Sequence, residues 1–163
     1  MKKNTILLLS ALLIFISSCN TQISSILKKT YGFEREVSGG MKETKDDSNI
    51  EKNKPRYQFF IFQEYSSKKS IEINNIWIKK IQYDFKIEII STPYLLKEKE
   101  IIPSSKNTVV KIMIFDKKQN SEISQPLQKI INENELVIEG SFGKKKFLRA
   151  VQKLSKLDPL YTE

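Results

Sequence analysis

Few side chains in this sequence are of the kinds that make or break covalent bonds. Histidine is absent and the single cysteine is Cys19. Without imidazole, Ser-His-Asp and Cys-His catalysis, HExxH zinc sites and a histidine pH switch are all excluded. Two carboxylate pairs remain, Glu98 with Glu100 and Glu133 with Glu135, and a pair of acids flanking a bond is the minimal set for general acid–base hydrolysis. Both pairs fall in polar stretches with no aromatic platform beside them, which is the composition of a solvated surface. Ser67-Lys68 and Ser105-Lys106 have the residue types of a serine–lysine dyad, but neighbours on an extended chain point to opposite faces. No glycine-rich phosphate loop occurs. Lys144, Lys145 and Lys146 concentrate positive charge at a turn signal, so they are a candidate patch for an anionic partner, against the plainer reading of a solvated hairpin tip.

Cys19 sits at the end of a recognisable layout. Lys2 and Lys3 precede an apolar run from Ile6 to Ile16, broken only by Ser10, and small Ser17 and Ser18 lead to the cysteine; this is the order of a secretory signal. The run is shorter than the roughly 20 apolar residues that cross a bilayer. Ending at a cysteine, it resembles a bacterial lipoprotein lipobox, with Ile16 where such boxes usually have leucine. The resemblance implies cleavage before Cys19 and acylation of its thiol and amine with palmitate-type chains. Each buried CH2 contributes roughly 0.8 kcal/mol, and two or more chains give stable attachment. Cys19 is then an anchor and not a catalyst, and no thiolate is left for a zinc or iron–sulfur site. Neither a metal nor another cofactor is expected, and the exported chain has no disulfide.

The formal net charge is +9. Most of it belongs to residues 55–163, with 19 lysines and arginines against 13 acidic residues. A basic exported surface suits anionic partners such as phosphate-bearing envelope glycolipids, although a lysine-rich composition that merely aids solubility gives the same count. Nucleic acid is not an expected partner of an exported, membrane-held chain.

The elements that would position these residues follow from periodicity. Residues 1–18 are read as signal peptide, 19–54 as acylated cysteine plus polar tether, and 55–163 as one folded domain. As a flexible coil the tether would reach about 33 Å r.m.s.. Ile23, Ile26, Leu27 and Tyr31 carry helical spacing within it, which leaves a short membrane-surface helix open beside irregular structure. Residues 57–65 alternate with aromatics on both sides, a strand covered on both faces. Ile71 and Ile73 precede Asn74-Asn75, after which Ile76-Trp77-Ile78 opens another extended run with Trp77 as a core candidate. Tyr83, Phe85, Ile87 and Ile89 alternate with Asp84, Lys86 and Glu88, the signature of a half-buried strand. Residues 94–106, with Pro103 and the Lys-Glu-Lys-Glu run, read as a long connection or irregular edge. Residues 109–115 resume as a strand, and Pro126 is placed to begin a helix of about two turns carrying Leu127, Ile130 and Ile131. Residues 136–142 alternate again, Gly143 supplies a turn, and residues 147–154 fit either the second strand of a hairpin or a C-terminal helix, ended by Pro159.

Six or seven short extended segments, no alternation of strands with helices, and one short helix indicate a mainly β chain: an antiparallel immunoglobulin-like sandwich with one helix. The order Tyr57-Gln58-Phe59-Phe60, Ile76-Trp77-Ile78-Lys79, Thr92-Pro93-Tyr94, Ile102-Pro103, Gly143-Lys144-Lys145-Lys146-Phe147 and Leu157-Asp158-Pro159-Leu160 resembles small uncharacterised lipoproteins of Bacteroidota-type bacteria. The resemblance implies an exported sandwich domain with Gly143 in a β-hairpin; it implies no activity and assigns no functional residue. Surface-directed lipoproteins of that lineage often carry acidic residues after the cysteine, and none follows Cys19 directly, so the expected place is the outer membrane, facing the periplasm. The expected role is a non-enzymatic binding or assembly module for an envelope protein or anionic glycan. An inhibitor or immunity-type protein is the alternative, and a carboxylate hydrolase the remote one.

Overall fold

In a computed structural model, residues 26–38, 56–66, 70–118 and 123–161 are described. The signal segment, Cys19 and the Ser67-Lys68 pair lie outside them. Among the described residues ten strands and one helix follow in order: β1 (Leu27–Ser38), β2 (Arg56–Tyr65), β3 (Glu72–Ile78), β4 (Ile81–Ile90), β5 (Tyr94–Leu96), β6 (Lys99–Ile102), β7 (Thr108–Lys117), α1 (Gln125–Glu133), β8 (Leu136–Phe142), β9 (Lys145–Val151) and β10 (Ser155–Tyr161).

Alternation in β2 explains the layering. Ile61 packs inward with Val110, Ile112, Ile76, Ile78, Leu136 and Ile138, while Phe60 and Phe62 point to the other side with Tyr31, Val109 and Ile102. The strand order β10-β1-β2-β7-β4-β3-β8-β9 curls on itself. It forms one layer from β10 to β4 and a second from β3, β8 and β9, with the main core between them. The β5–β6 hairpin covers the outer face of the first layer with Ile101 and Ile102. Helix α1 covers the outer face of the second, setting Ile131 on Trp77 and Val137. Pro126 stands in its first turn, where a missing N–H costs nothing. The mainly β sandwich with one short helix therefore forms as expected, and residues 145–151 are strand rather than helix.

Four sequence expectations are corrected. Residues 27–38 are not tether or helix: β1 is a central strand, antiparallel to β2 and parallel to β10. Its pattern was obscured because Glu34 and Arg35 are charged yet buried in the fold. Asn74-Asn75 does not separate two segments but lies in β3, where the ladder to β8 shifts register, since a bulge absorbs the extra residue. Residues 94–102 form a hairpin rather than a long connection or irregular edge, held down by buried Ile101 and Ile102, and only residues 103–107 connect it to β7. Pro159 does not end the last strand; it lies in β10, at the irregularity between Leu157 and Leu160, and an edge strand tolerates a residue that cannot donate. The parallel pairing of β1 and β10 is the departure from an all-antiparallel sandwich. The chain passes from β9 through residues 152–154 without a hairpin reversal, with Leu154 buried in the main core on the way.

Candidate binding site

The larger layer is split between two of its central strands. β2 and β7 pair only from Ile61 opposite Ile112 to Tyr65 opposite Thr108. Beyond that point residues 56–60 stay with β1, and residues 113–117 stay with β4. The strands thus part for about five residues, roughly 17 Å of strand. The opening of about 380 Å³ is lined by consecutive residues of both strands, Tyr57 to Phe60 and Lys111 to Phe115, together with Tyr83. Successive residues of a strand face opposite sides, so side chains of both faces of the layer border the opening. On each bordering strand, the backbone groups turned toward it meet no partner strand.

Aromatic rings furnish the slot. Tyr57 stacks on Phe59 at 6.5 Å with planes 22° apart, and Phe59 meets Tyr83 at 6.5 Å. Tyr57 and Phe115 are 45 % and 50 % exposed. Lysines approach both rims: Lys79 Nζ is 4.6 Å from the Tyr57 ring, and Lys86 Nζ is 5.4 Å from that of Phe115.

Lys79 also belongs to the adjoining cleft, about 480 Å³, bordered by Glu34, Glu36, Glu135, Lys153 and Lys156. It and Lys80 form the two-residue turn between β3 and β4, with φ of 49° and 71°. Such a turn matches the strand twist but favours Asn and Gly, and a left-handed residue with a side chain costs about 1–2 kcal/mol. Two interactions hold Lys79 there: its N–H donates to the Glu135 carbonyl at 2.7 Å, and its ammonium pairs with buried Glu34. Burial pulls the Lys79 ammonium toward deprotonation, but Glu34, with the smaller influences of Glu135 and Tyr57, outweighs it and holds the pKa above the usual lysine value. Lys79 is therefore a fixed cation rather than an amine nucleophile.

A second polar cluster fastens the hairpin cover. Glu64, buried at the end of β2, accepts from Ser105 Oγ at 2.6 Å and Asn107 Nδ2 at 2.7 Å through one oxygen, and from the Tyr31 hydroxyl at 3.1 Å through the other. Burial alone would push its carboxyl up, but these donors and the Lys29 charge bring it below the ordinary value. Burial and the Glu64 contact push the Tyr31 phenol up to about 12. A carboxylate held this way is a weak base, and the Ser105 hydroxyl is committed to it, so the cluster is built to hold residues 105–107 against β2.

The sequence candidates are dispersed. Glu98 lies in the β5–β6 turn and Glu100 on β6, both exposed. Glu133 ends α1, whereas Glu135 accepts the Leu154 N–H at 2.7 Å. Ser105 faces Glu64 instead of forming a dyad with exposed Lys106. Lys144, Lys145 and Lys146 stand exposed at the β8–β9 turn and the first residues of β9. Among the described residues no group of three or more Asp, Glu, His or Cys is placed to hold a metal ion. Sequence reasoning missed the slot, because it arises from where pairing stops. It also missed the pairing of Glu34 with Lys79, for which two adjacent lysines in a two-residue turn were the available signal. No protein-family model, curated protein or solved structure matches the chain.

Proposed function

We propose that the protein is a lipid-anchored binding module of the bacterial envelope, held at the outer membrane on its periplasmic side by acylated Cys19. It captures an extended polypeptide segment of an envelope partner in the β2–β7 slot and performs no covalent chemistry. One observation carries this reading: strand edges on both sides of an aromatic-lined opening stand without partner strands. An added strand satisfies such edges through main-chain hydrogen bonds, while its alternate side chains meet the rings. The exposed Tyr57 and Phe115 at the rims suit apolar side chains. The scattering of the carboxylates supports binding over hydrolysis.

Photo-crosslinking in intact cells tests the slot. A crosslinking residue at Phe115 should capture a polypeptide, and one at Leu148, exposed on another part of the surface, should not. Equal capture at the two positions, or none at Phe115, rejects the slot. The anchor has its own check: Cys19→Ser should abolish palmitate labelling and release the protein, and continued labelling would sink it.

A further inference from the structure

The ends of the sandwich differ in charge, and the chain enters at the basic one. β1 and β7 begin there, β2 and β4 end there, and the β8–β9 turn lies there, as their registers require. Exposed Lys28, Lys106, Lys144, Lys145 and Lys146 crowd this end. Against them stand Glu72 and, two residues back from the end of β4, Glu88. At the opposite end, which holds the slot, Arg56, Lys80, Lys117 and Lys118 are interleaved with Glu36, Asp84 and Asp116, and Lys153 and Lys156 with Glu135 and Asp158. Ile89, 70 % exposed, also sits near the basic end.

Entry of the chain is fixed in space. Ser66 N–H donates to the Ile26 carbonyl at 2.8 Å, and Arg149 Nη2 to that of Leu27 at 2.8 Å. Seven peptide steps separate Cys19 from Ile26, a contour of about 25 Å at most. Arg149 reaches the Leu27 carbonyl from β9, and β9 begins at the lysine turn, so the lysine tip and the entering chain share this end of the sandwich. Even fully drawn out, the tether therefore holds this end within about 25 Å of the anchor, and any slack brings it toward the Debye length of about 8 Å at physiological ionic strength.

We infer that this basic end docks on anionic lipid headgroups, standing the domain on the membrane with the slot turned away from it. The inference rests on the lipid anchor proposed above. The short tether keeps the domain at the surface, and the charge asymmetry selects which end faces it. The occupant is a lipid surface rather than a soluble anion because of that tether and because Ile89 offers an apolar contact beside the lysines.

The test uses the full acylated chain bound to vesicles of phosphatidylcholine alone or mixed with phosphatidylglycerol, with amine-reactive footprinting read by mass spectrometry. On the anionic vesicles Lys28, Lys106, Lys144, Lys145 and Lys146 should become several-fold less reactive, Lys80 and Lys117 should not change, and high salt should erase the difference. Changing Lys144, Lys145 and Lys146 together to glutamine should weaken protection of Lys28 and Lys106, each lysine at the surface being worth roughly fivefold. The matching arginine variant should restore it. Flotation with phosphatidylcholine but equal reactivity on both vesicles overturns docking and leaves the anchor standing. Protection of Lys80 and Lys117 instead overturns the orientation. Failure to float with phosphatidylcholine overturns the anchor, and docking with it.

Discussion

Replacing Glu64 should expose how much of the domain's stability rests on one buried carboxylate. Its oxygens accept from Ser105, Asn107 and Tyr31. Hydrogen bonds to a charged group contribute about 1.5–3 kcal/mol each and are not additive, and stranding buried donors is costly as well. Glu64→Ala should therefore cost about 3–5 kcal/mol, a large share of the roughly 5–15 kcal/mol that holds a domain together. Glu64→Gln keeps an acceptor for Ser105 and Asn107 and turns an amide toward Tyr31, whose hydroxyl can rotate to accept. Its cost is the lost charge, about 1–2 kcal/mol. Urea unfolding with an unchanged slope measures both. The folded pKa of Glu64 lies below its unfolded value. Its contribution is thus complete above the unfolded carboxylate pKa and lost as pH falls through the folded one. The gap between wild type and Glu64→Gln should close on acidification. Hydrogen exchange should also quicken in the β5–β6 hairpin before the central strands, since the cluster holds residues 105–107 next to that cover. A gap independent of pH, or a Glu64→Ala protein as stable as wild type, would refute the reasoning.

Alkaline pH should destabilise the domain in the opposite sense. The Tyr31 phenol is raised from 10.0 to about 12, and Tyr65 and Tyr83 are raised as well. The unfolded chain loses these protons first, so the melting temperature should decline from about pH 10 toward 12. Tyr31→Phe should flatten part of the decline; an unaltered slope would contradict the assignment. Trp77→Ala should cost about 3–5 kcal/mol, the penalty for emptying an aromatic site, because Trp77 is buried under α1; a melting temperature near wild type would place it on the surface. Gly140→Ala should destabilise by about 1–3 kcal/mol or more, since a Cβ there overlaps the Phe147 ring and the Glu72 carbonyl. Thermal unfolding checks it. Phe115→Ser should change stability by no more than about 0.5 kcal/mol yet abolish capture of the slot's partner, as a pull-down from cells would report.

Local signals in the sequence marked much of the architecture. The two-residue period of residues 57–65, 83–89, 109–115 and 136–142 fixes which side chains share a face, and each of these stretches is a strand. Pro126 placed the start of α1, and Gly143, with φ of 55°, placed the last hairpin. The aromatics on both sides of β2 announced covers on both faces, which are the second layer and the β5–β6 hairpin. Less was legible where burial contradicts residue type. In β1 the alternation of Tyr31, Phe33 and Val37 was present, but Glu34 and Arg35 made it read as solvated tether, and the partner of Glu34 is Lys79, 45 residues away in the chain. Even β4 ended less covered than its pattern promised, with Ile87 and Ile89 exposed because the second layer pairs with it only beside the turn.

By itself the sequence determined the strands with a clear two-residue period, the Gly143 turn, the lack of histidine chemistry and the cluster of three lysines, because these depend on residue types and on neighbours a few positions apart. Tertiary structure decided that β1 belongs to the fold, that β2 and β7 part at Ile61 and Ile112 to open a slot, and that the lysine tip shares an end with the entering chain. Those are matters of pairing and register between distant segments. Their energy comes from burial across the whole sandwich, which no short stretch of sequence encodes.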